Sequence, residues 1–268
     1  MNQIVSIITP TYNSAPTIEA TIKSVIAQSY PYWQLIIVDD ASTDGTVNII
    51  KKWQAVDTRI SFIQLNENRG AAVARNTAIK ASTGRYIAFL DSDDQWQSDK
   101  LLKQLQFMTH NQASLSFTAY QKIDLNGNSI GCMGVPKQVD YTTLLKSNVI
   151  GCLTAIYDTN AIGRVYMPEI RTRQDYGLWL FILREKTSVA HGLNEVLATY
   201  LIRNNSISAD KKNAAVSTFK LYRDIEKLGN VKSAYYFCQY AVRGFIRAKY
   251  PKMAIKMGFN NNPNNIYD

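Results

Sequence analysis

Tyr86-Ile87-Ala88-Phe89-Leu90, followed at once by Asp91-Ser92-Asp93-Asp94, is the stretch on which the fold of this chain turns. An unbroken apolar run of that length reads as a strand buried on both faces, and the carboxylates end it abruptly. Alternate carboxylates just past a strand offer hard oxygen ligands suited to a divalent cation such as Mg²⁺ or Mn²⁺. The plainer alternative is a solvated acidic loop that caps the next helix. Asp94 and Asp99 fit that alternative, as turn and helix-start residues.

Toward the N-terminus the same grammar repeats. Ile4 to Thr9 reads as a buried strand. A helix capped by Asn13 or Ser14 follows, with Pro16 in its first turn and Ile18, Ile22, Val25 and Ile26 on one face. Leu35 to Val38 is a second strand that ends in Asp39-Asp40; Thr46 to Trp53 is helical and Ile60 to Leu65 a third strand. Gly70 to Ala81 reads as a helix stopped by Gly84, and another helix runs from Ser98 to Thr109. Such alternation implies an α/β fold, a mostly parallel sheet flanked by helices. Right-handed crossovers order its strands 3-2-1-4. Ligands in such sheets sit beyond the carboxyl ends of the strands at the switch point, so Thr11-Tyr12-Asn13, Asp39-Asp40 and Asp91-Ser92-Asp93 should converge.

The second half is less regular. Ser114 to Asp124 reads as a strand turned by Asn126-Gly127, Val149 to Tyr157 as another, Asp175 to Arg184 as a helix and Glu195 to Ile202 as a strand. The net charge of +9 is concentrated at the end: from Lys211 to Asp268 eleven Lys and Arg face three acidic residues. There Ala234, Tyr235, Cys238, Ala241, Val242 and Phe245 keep a three-four spacing. A basic amphipathic helix near Ala234 to Lys249 suits an anionic membrane surface; the alternative is a helix docked on the domain with a solvated basic face. No recognised module supports nucleic-acid binding. Three widely spaced cysteines without a CxxC pairing read as reduced thiols, and no signal peptide or spanning segment is evident, so a cytoplasmic protein is expected.

Several side chains near the strand tips have chemistry to offer. One carboxylate of Asp39-Asp40 can accept from a base imide or a ribose hydroxyl, although Asp is also common in strand-end turns. Asp44-Gly45 is turn chemistry. Arg69 and Arg75, near a helix start, suit a diphosphate or are ordinary surface arginines. Tyr12 either stacks on a base or packs on the first helix. Asp175 could act as a general base if it faces the cleft, but its spacing alone favours a helix cap. His110 reads as a C-terminal cap and His191 as a turn residue. HExxH, P-loop, GxGxxG and nucleophile-elbow motifs are absent from the sequence.

Together, Ser6-Ile7-Ile8-Thr9-Pro10-Thr11-Tyr12-Asn13, Ile37-Val38-Asp39-Asp40-Ala41-Ser42-Thr43-Asp44, Asn68-Arg69-Gly70 with Ala74-Arg75-Asn76, Leu90-Asp91-Ser92-Asp93-Asp94 and Arg173-Gln174-Asp175-Tyr176-Gly177-Leu178-Trp179 resemble glycosyltransferase family 2, of the GT-A fold. The likeness is to bacterial teichuronic acid, capsule and O-antigen transferases, and extends through Ile150-Gly151-Cys152-Leu153-Thr154. It implies an inverting transferase that takes a nucleotide-sugar donor, a UDP-sugar favoured, and a saccharide or lipid-linked saccharide acceptor. Thr9, Pro10, Thr11, Tyr12, Asn13, Asp39, Asp40, Arg69, Arg75, Asp91 and Ser92 would hold the nucleotide. Asp93, with Asp91, would hold Mn²⁺ or Mg²⁺, and Asp175 becomes the catalytic base, reversing the reading from spacing. Arg173, Gln174 and Trp179 become candidates for sugar contact. Gln174 departs from the Glu that the family often has before the base.

The resulting expectation is a catalytic domain over 1–210, with a nucleotide-binding half at 1–110 and an acceptor-binding half at 111–210, then a basic helical extension at 211–268. The rivals are a sugar nucleotidyltransferase, for which Pro10-Thr11-Tyr12-Asn13-Ser14 lacks the usual Gly-rich basic loop, and a non-catalytic nucleotide-sugar-binding module.

Overall fold

The computed structural model describes residues 3–203, 211–259 and 261–263. Strands β1 (Val5–Thr11), β2 (Trp33–Asp39), β3 (Ile60–Gln64) and β4 (Tyr86–Phe89) alternate with helices α1 (Ile18–Ile26), α2 (Thr46–Val56) and α3 (Ala71–Ala81). They lie in the order β3-β2-β1-β4, every pair parallel, as the crossover rule requires. All of β1 and β4 is buried, which is why these segments read as continuous apolar runs.

The sheet continues with shorter and more mixed elements. After β5 (Gln95–Trp96) and α4 (Lys100–His110) come β6 (Leu115–Ile123), β7 (Ser129–Met133), β8 (Gln138–Val139), α5 (Tyr141–Lys146), β9 (Ile156–Asp158), α6 (Thr159–Ile162), α7 (Gln174–Glu185) and β10 (Ala190–Leu201). The order runs on from β4 as β9-β6-β10-β5, with β9 antiparallel to both of its neighbours. Alternation along each strand sends Ile7, Leu35 and Ile37 to the side covered by α1 and α4, and Ile8, Ile36 and Val38 to the side covered by α3 and α7.

Some boundaries differ from the sequence reading. Helix α1 begins at Ile18 because Asn13 adopts a left-handed conformation (φ 47°) and its side chain accepts from the Thr43 N–H instead of capping. Val149 to Tyr157 is mostly not strand: Cys152–Thr154 forms a tight turn whose Thr154 hydroxyl donates to Gly151 O, leaving three residues for β9. His191 lies within β10, opposite Gln138 of β8, rather than in a turn.

In the C-terminal part, α8 (Lys211–Lys220) leads through a wide turn at Leu221–Ile225 to α9 (Asn230–Lys249) and α10 (Pro251–Lys256). Buried Tyr222 donates to Leu145 O at 2.6 Å and lies 3.0 Å, hydroxyl to hydroxyl, from Tyr176. Tyr236, Phe237 and Tyr240 of α9 pack on the same core as α7, so this segment docks against the sheet domain. The opposite side of α9, with Val231, Tyr235, Val242 and Phe245, faces solvent.

Candidate active site

The tips of β1, β2 and β4 open on one cleft of about 1280 Å³. Single small-molecule sites usually occupy ~300–1,000 Å³, so this volume leaves room for two substrates. Pro10, Thr11, Tyr12, Asp40, Arg69, Arg75, Asp91, Ser92, Asp93, Arg173, Gln174 and Asp175 all line it.

Asp40 is joined to β1 through its N–H, which donates to Thr11 O at 2.8 Å. Its carboxylate oxygens accept from the backbone of Arg69 and Gly70, each at 2.8 Å, just before α3. Gly70 has φ 91°, open to glycine and strained for other residues. Asp40 thus fixes the loop that enters α3 while lining the cleft. Tyr12 is 49% exposed, a free aromatic face at the rim.

The acidic loop is braced from several directions. The Ser92 and Ser14 hydroxyls lie 2.8 Å apart, and Asp94, fully buried, accepts from Leu201 N of β10 at 3.1 Å. Burial and its neighbours Asp93 and Asp91 push the Asp94 carboxyl well above the usual range. Arg75, one turn into α3, donates to Asp91 at 2.5 Å. Burial works against the Arg75 charge, but Asp91, with a smaller contribution from Asp175, more than offsets it and raises its pKa. Asp93 pairs instead with Arg203, just past β10. Burial, and then the Asp91 charge, nevertheless raise the Asp93 carboxyl above the ordinary aspartate range.

Asp175 lies in the first turn of α7, whose cap residue Arg173 is left-handed (φ 68°). Burial raises its carboxyl above the ordinary aspartate range, although Arg75 pulls the other way. Gln174 is buried and donates to Arg171 O at 3.0 Å, bracing the same turn. The cap position belongs to Arg173, leaving Asp175 free to face the cleft.

Four sequence candidates do not line the cleft. Trp179 is fully buried, edge-on to Phe89 with ring centroids 5.4 Å apart, so it packs the core and reaches no sugar. Thr9 is fully buried within β1 and turned away from the cleft. Asp39 accepts from the Ser42 N–H and hydroxyl and closes a turn. Asn13 is used in the Thr43 contact, its side chain accepting from the Thr43 N–H. Conversely, Arg203, the Tyr120–Tyr200 ring pair at 6.1 Å, and Arg243 and Arg247 of α9 line the cleft but were not singled out from the sequence. The general excess of Lys and Arg after Lys211 was the available signal for the last two.

Among the described residues no cluster of three or more His, Cys, Asp or Glu could hold a metal on its own. Asp91 and Asp93 offer carboxylate oxygens, each already paired with an arginine, so a cation there would need most of its ligands from a bound diphosphate and water.

The sequence model described as Glycosyl transferase family 2 matches residues 6–164. A putative teichuronic acid biosynthesis glycosyltransferase of Bacillus subtilis is 48% identical over 89% of this chain and 94% of its own length. A UDP-Glc:alpha-D-GlcNAc-diphosphoundecaprenol beta-1,3-glucosyltransferase of Escherichia coli is 37% identical over 90% of this chain and 93% of its own. Among solved structures, S. aureus TarS 1–349 in complex with UDP has TM-score 0.64 and 20% identity, covering 94% of this chain and 74% of that one. A Pyrobaculum calidifontis mannosyltransferase in complex with GDP-Man and Mn²⁺ has TM-score 0.65 and 18% identity, covering 96% and 79%. At such identities these structures establish the GT-A fold alone.

Proposed function

Because the chain belongs to glycosyl transferase family 2, we propose that it moves a sugar from a nucleotide diphosphate to an acceptor hydroxyl with inversion. The observation that carries this reading is the meeting of Tyr12, Asp40, Asp91, Asp93 and Asp175 in one cleft. UDP-sugars are the favoured donors, and a cell-surface polysaccharide or a lipid-linked saccharide is the acceptor. Both choices draw support from the Escherichia coli relative, whose name specifies UDP-Glc and a diphosphoundecaprenol-linked sugar.

Tyr12 stacks on the base, and Asp40 accepts from base or ribose while holding the Arg69-Gly70 loop near the diphosphate. Mn²⁺ or Mg²⁺ held by Asp93, assisted by Asp91, would offset negative charge on the departing diphosphate. Asp175 takes the proton from the acceptor hydroxyl as its oxygen bonds to the anomeric carbon and the bond to phosphate breaks on the opposite side. Burial of Asp175 raises its basicity, and Arg75 keeps Asp91 paired so that two neighbouring carboxylates do not repel the donor. Residues 1–110 thus form the donor half, 111–210 the acceptor half, and 211–268 an extension that reaches the cleft.

That extension also brings the enzyme to the inner face of the cell membrane. No helix among the described residues is long and apolar enough to cross a bilayer. The solvent side of α9 instead combines Val231, Tyr235, Val242 and Phe245 with exposed Lys232 and Lys249, and no Asp or Glu occurs between Lys227 and Tyr267. An apolar stripe beside unopposed lysines matches an anionic lipid surface.

Assaying a panel of nucleotide sugars with Mn²⁺ and a saccharide acceptor tests the reading. Release of nucleoside diphosphate with sugar transfer supports it, whereas formation of nucleoside triphosphate and sugar 1-phosphate when pyrophosphate is added would identify a nucleotidyltransferase. Stoichiometric binding with no product would identify a binding module.

A further inference from the structure

Helix α9 has a second face with a different character. Arg243 and Arg247, one turn apart, point into the cleft beside Tyr120, Tyr200 and Phe259. Among the described residues neither arginine forms an ion pair with a carboxylate. The Arg243 Nε is buried without a hydrogen-bond partner, and its guanidinium lies 4.7 Å from the centre of the Phe259 ring. Burial lowers the pKa of Arg247, and the Arg243 charge lowers it further. Lys122 on β6 is lowered by burial and by Arg247 in turn. Two unopposed, partly desolvated guanidiniums held side by side are unfavourable unless an anion joins them.

The location restricts which anion this is. The donor elements, the tips of β1, β2 and β4 with the start of α3, lie across the cleft from β6 and β10. Arg247 interacts with Tyr120 of β6, on the acceptor side. The outer face of the same helix carries the apolar stripe. A helix is ~10 Å across with its side chains, so its cleft face would stand at headgroup level if the outer face rested on lipid.

We propose that Arg243 and Arg247 form a subsite for the diphosphate of a lipid-linked acceptor, distinct from the donor diphosphate at Arg69 and Asp93. The subsite rests on the transferase reading above and gives it an acceptor class. Phe259, Tyr120 and Tyr200 flank the anion with ring faces suited to the acceptor sugar and the first prenyl unit.

Titration calorimetry on the full chain decides the matter, with farnesyl diphosphate in EDTA as one probe and UDP with Mn²⁺ as the other. Arg243→Gln/Arg247→Gln should weaken farnesyl diphosphate at least tenfold and change UDP affinity less than twofold. Arg243→Lys/Arg247→Lys, which keeps both charges, should retain most of the farnesyl diphosphate affinity and guards against misfolding of the first variant. Unchanged farnesyl diphosphate binding in the Gln variant, or none in the wild type, would overturn the subsite. Equal loss of UDP would assign the arginines to the donor and overturn it as well. If the wild type binds farnesyl diphosphate through these arginines but never binds UDP, the subsite stands and the donor reading fails.

Discussion

The carboxylate of Asp93 and the guanidinium of Arg203, 110 residues apart in the chain, form an ion pair at the edge of the cleft. Arg203 therefore occupies one oxygen of the residue proposed to take the metal. A divalent cation at Asp93 competes with that pair or shares it. Arg203→Met is expected to tighten Mn²⁺ binding to the nucleotide-free protein, by roughly three- to tenfold for a partly exposed pair. Electron paramagnetic resonance of unbound Mn²⁺ measures this. Weaker binding in the variant would mean that Arg203 supports the ion rather than competing with it.

Asp175→Asn is expected to reduce kcat by about 10²- to 10⁴-fold, the usual worth of a general base, and to leave UDP affinity unchanged. In the wild type the acid limb of kcat/KM should lie above the ordinary aspartate value of ~3.9, because burial raises this carboxyl. The same shift has a stability cost of known sign. A folded pKa above the unfolded one favours the fold only when the group is protonated, and that contribution is lost as pH rises through the folded pKa. Asp175→Asn should therefore raise Tm at neutral pH, with the gain vanishing below ~pH 3.9. An unchanged Tm across that range would contradict the desolvation.

Asp40 joins two loops, so its removal should be felt in both stability and binding. Asp40→Ala leaves the Arg69 and Gly70 N–H groups without their carboxylate partner. A loss of about 2–4 kcal/mol is expected from urea unfolding, given ~1.5–3 kcal/mol for a hydrogen bond to a charged group. The nucleotide KM should rise with it. Stability within ~0.5 kcal/mol of wild type would show that the loop is held by other contacts.

Liposome co-sedimentation reads the outer face of α9. Val242→Glu/Phe245→Glu places two charges on its exposed stripe and should abolish binding to vesicles rich in anionic lipid. Wild-type binding should fall as salt rises. Equal sedimentation of the two proteins would mean that this face does not carry the membrane contact.

The N-terminal half was the most legible part of the chain. Buried parallel strands must be apolar throughout, so Ile4 to Thr9 and Tyr86 to Leu90 announced themselves, and the crossover rule ordered them. The strand tips were equally readable as a group. Individual side chains were not, because sequence spacing does not say which way a tip residue points once a turn intervenes. Asp39 and Asp40 illustrate this: one closes a turn on Ser42, and its neighbour faces the cleft. The orientation of Trp179 is hidden for a related reason, since a large aromatic beside a candidate base can pack inward on Phe89 as readily as outward. The region after α4 depends on very short strands such as β8 and β9, which carry too few residues for a period. The Asp93–Arg203 and α9 contacts join residues distant in sequence, and only the folded chain reveals them.

Calorimetric titration of UDP into the wild type and Asp93→Asn, each with and without Mn²⁺, is the most direct measurement of a metal-assisted diphosphate grip at the strand tips. The expected result is binding by the wild type that requires Mn²⁺ and is lost in the variant. UDP binding of the same strength without metal and in Asp93→Asn would contradict it.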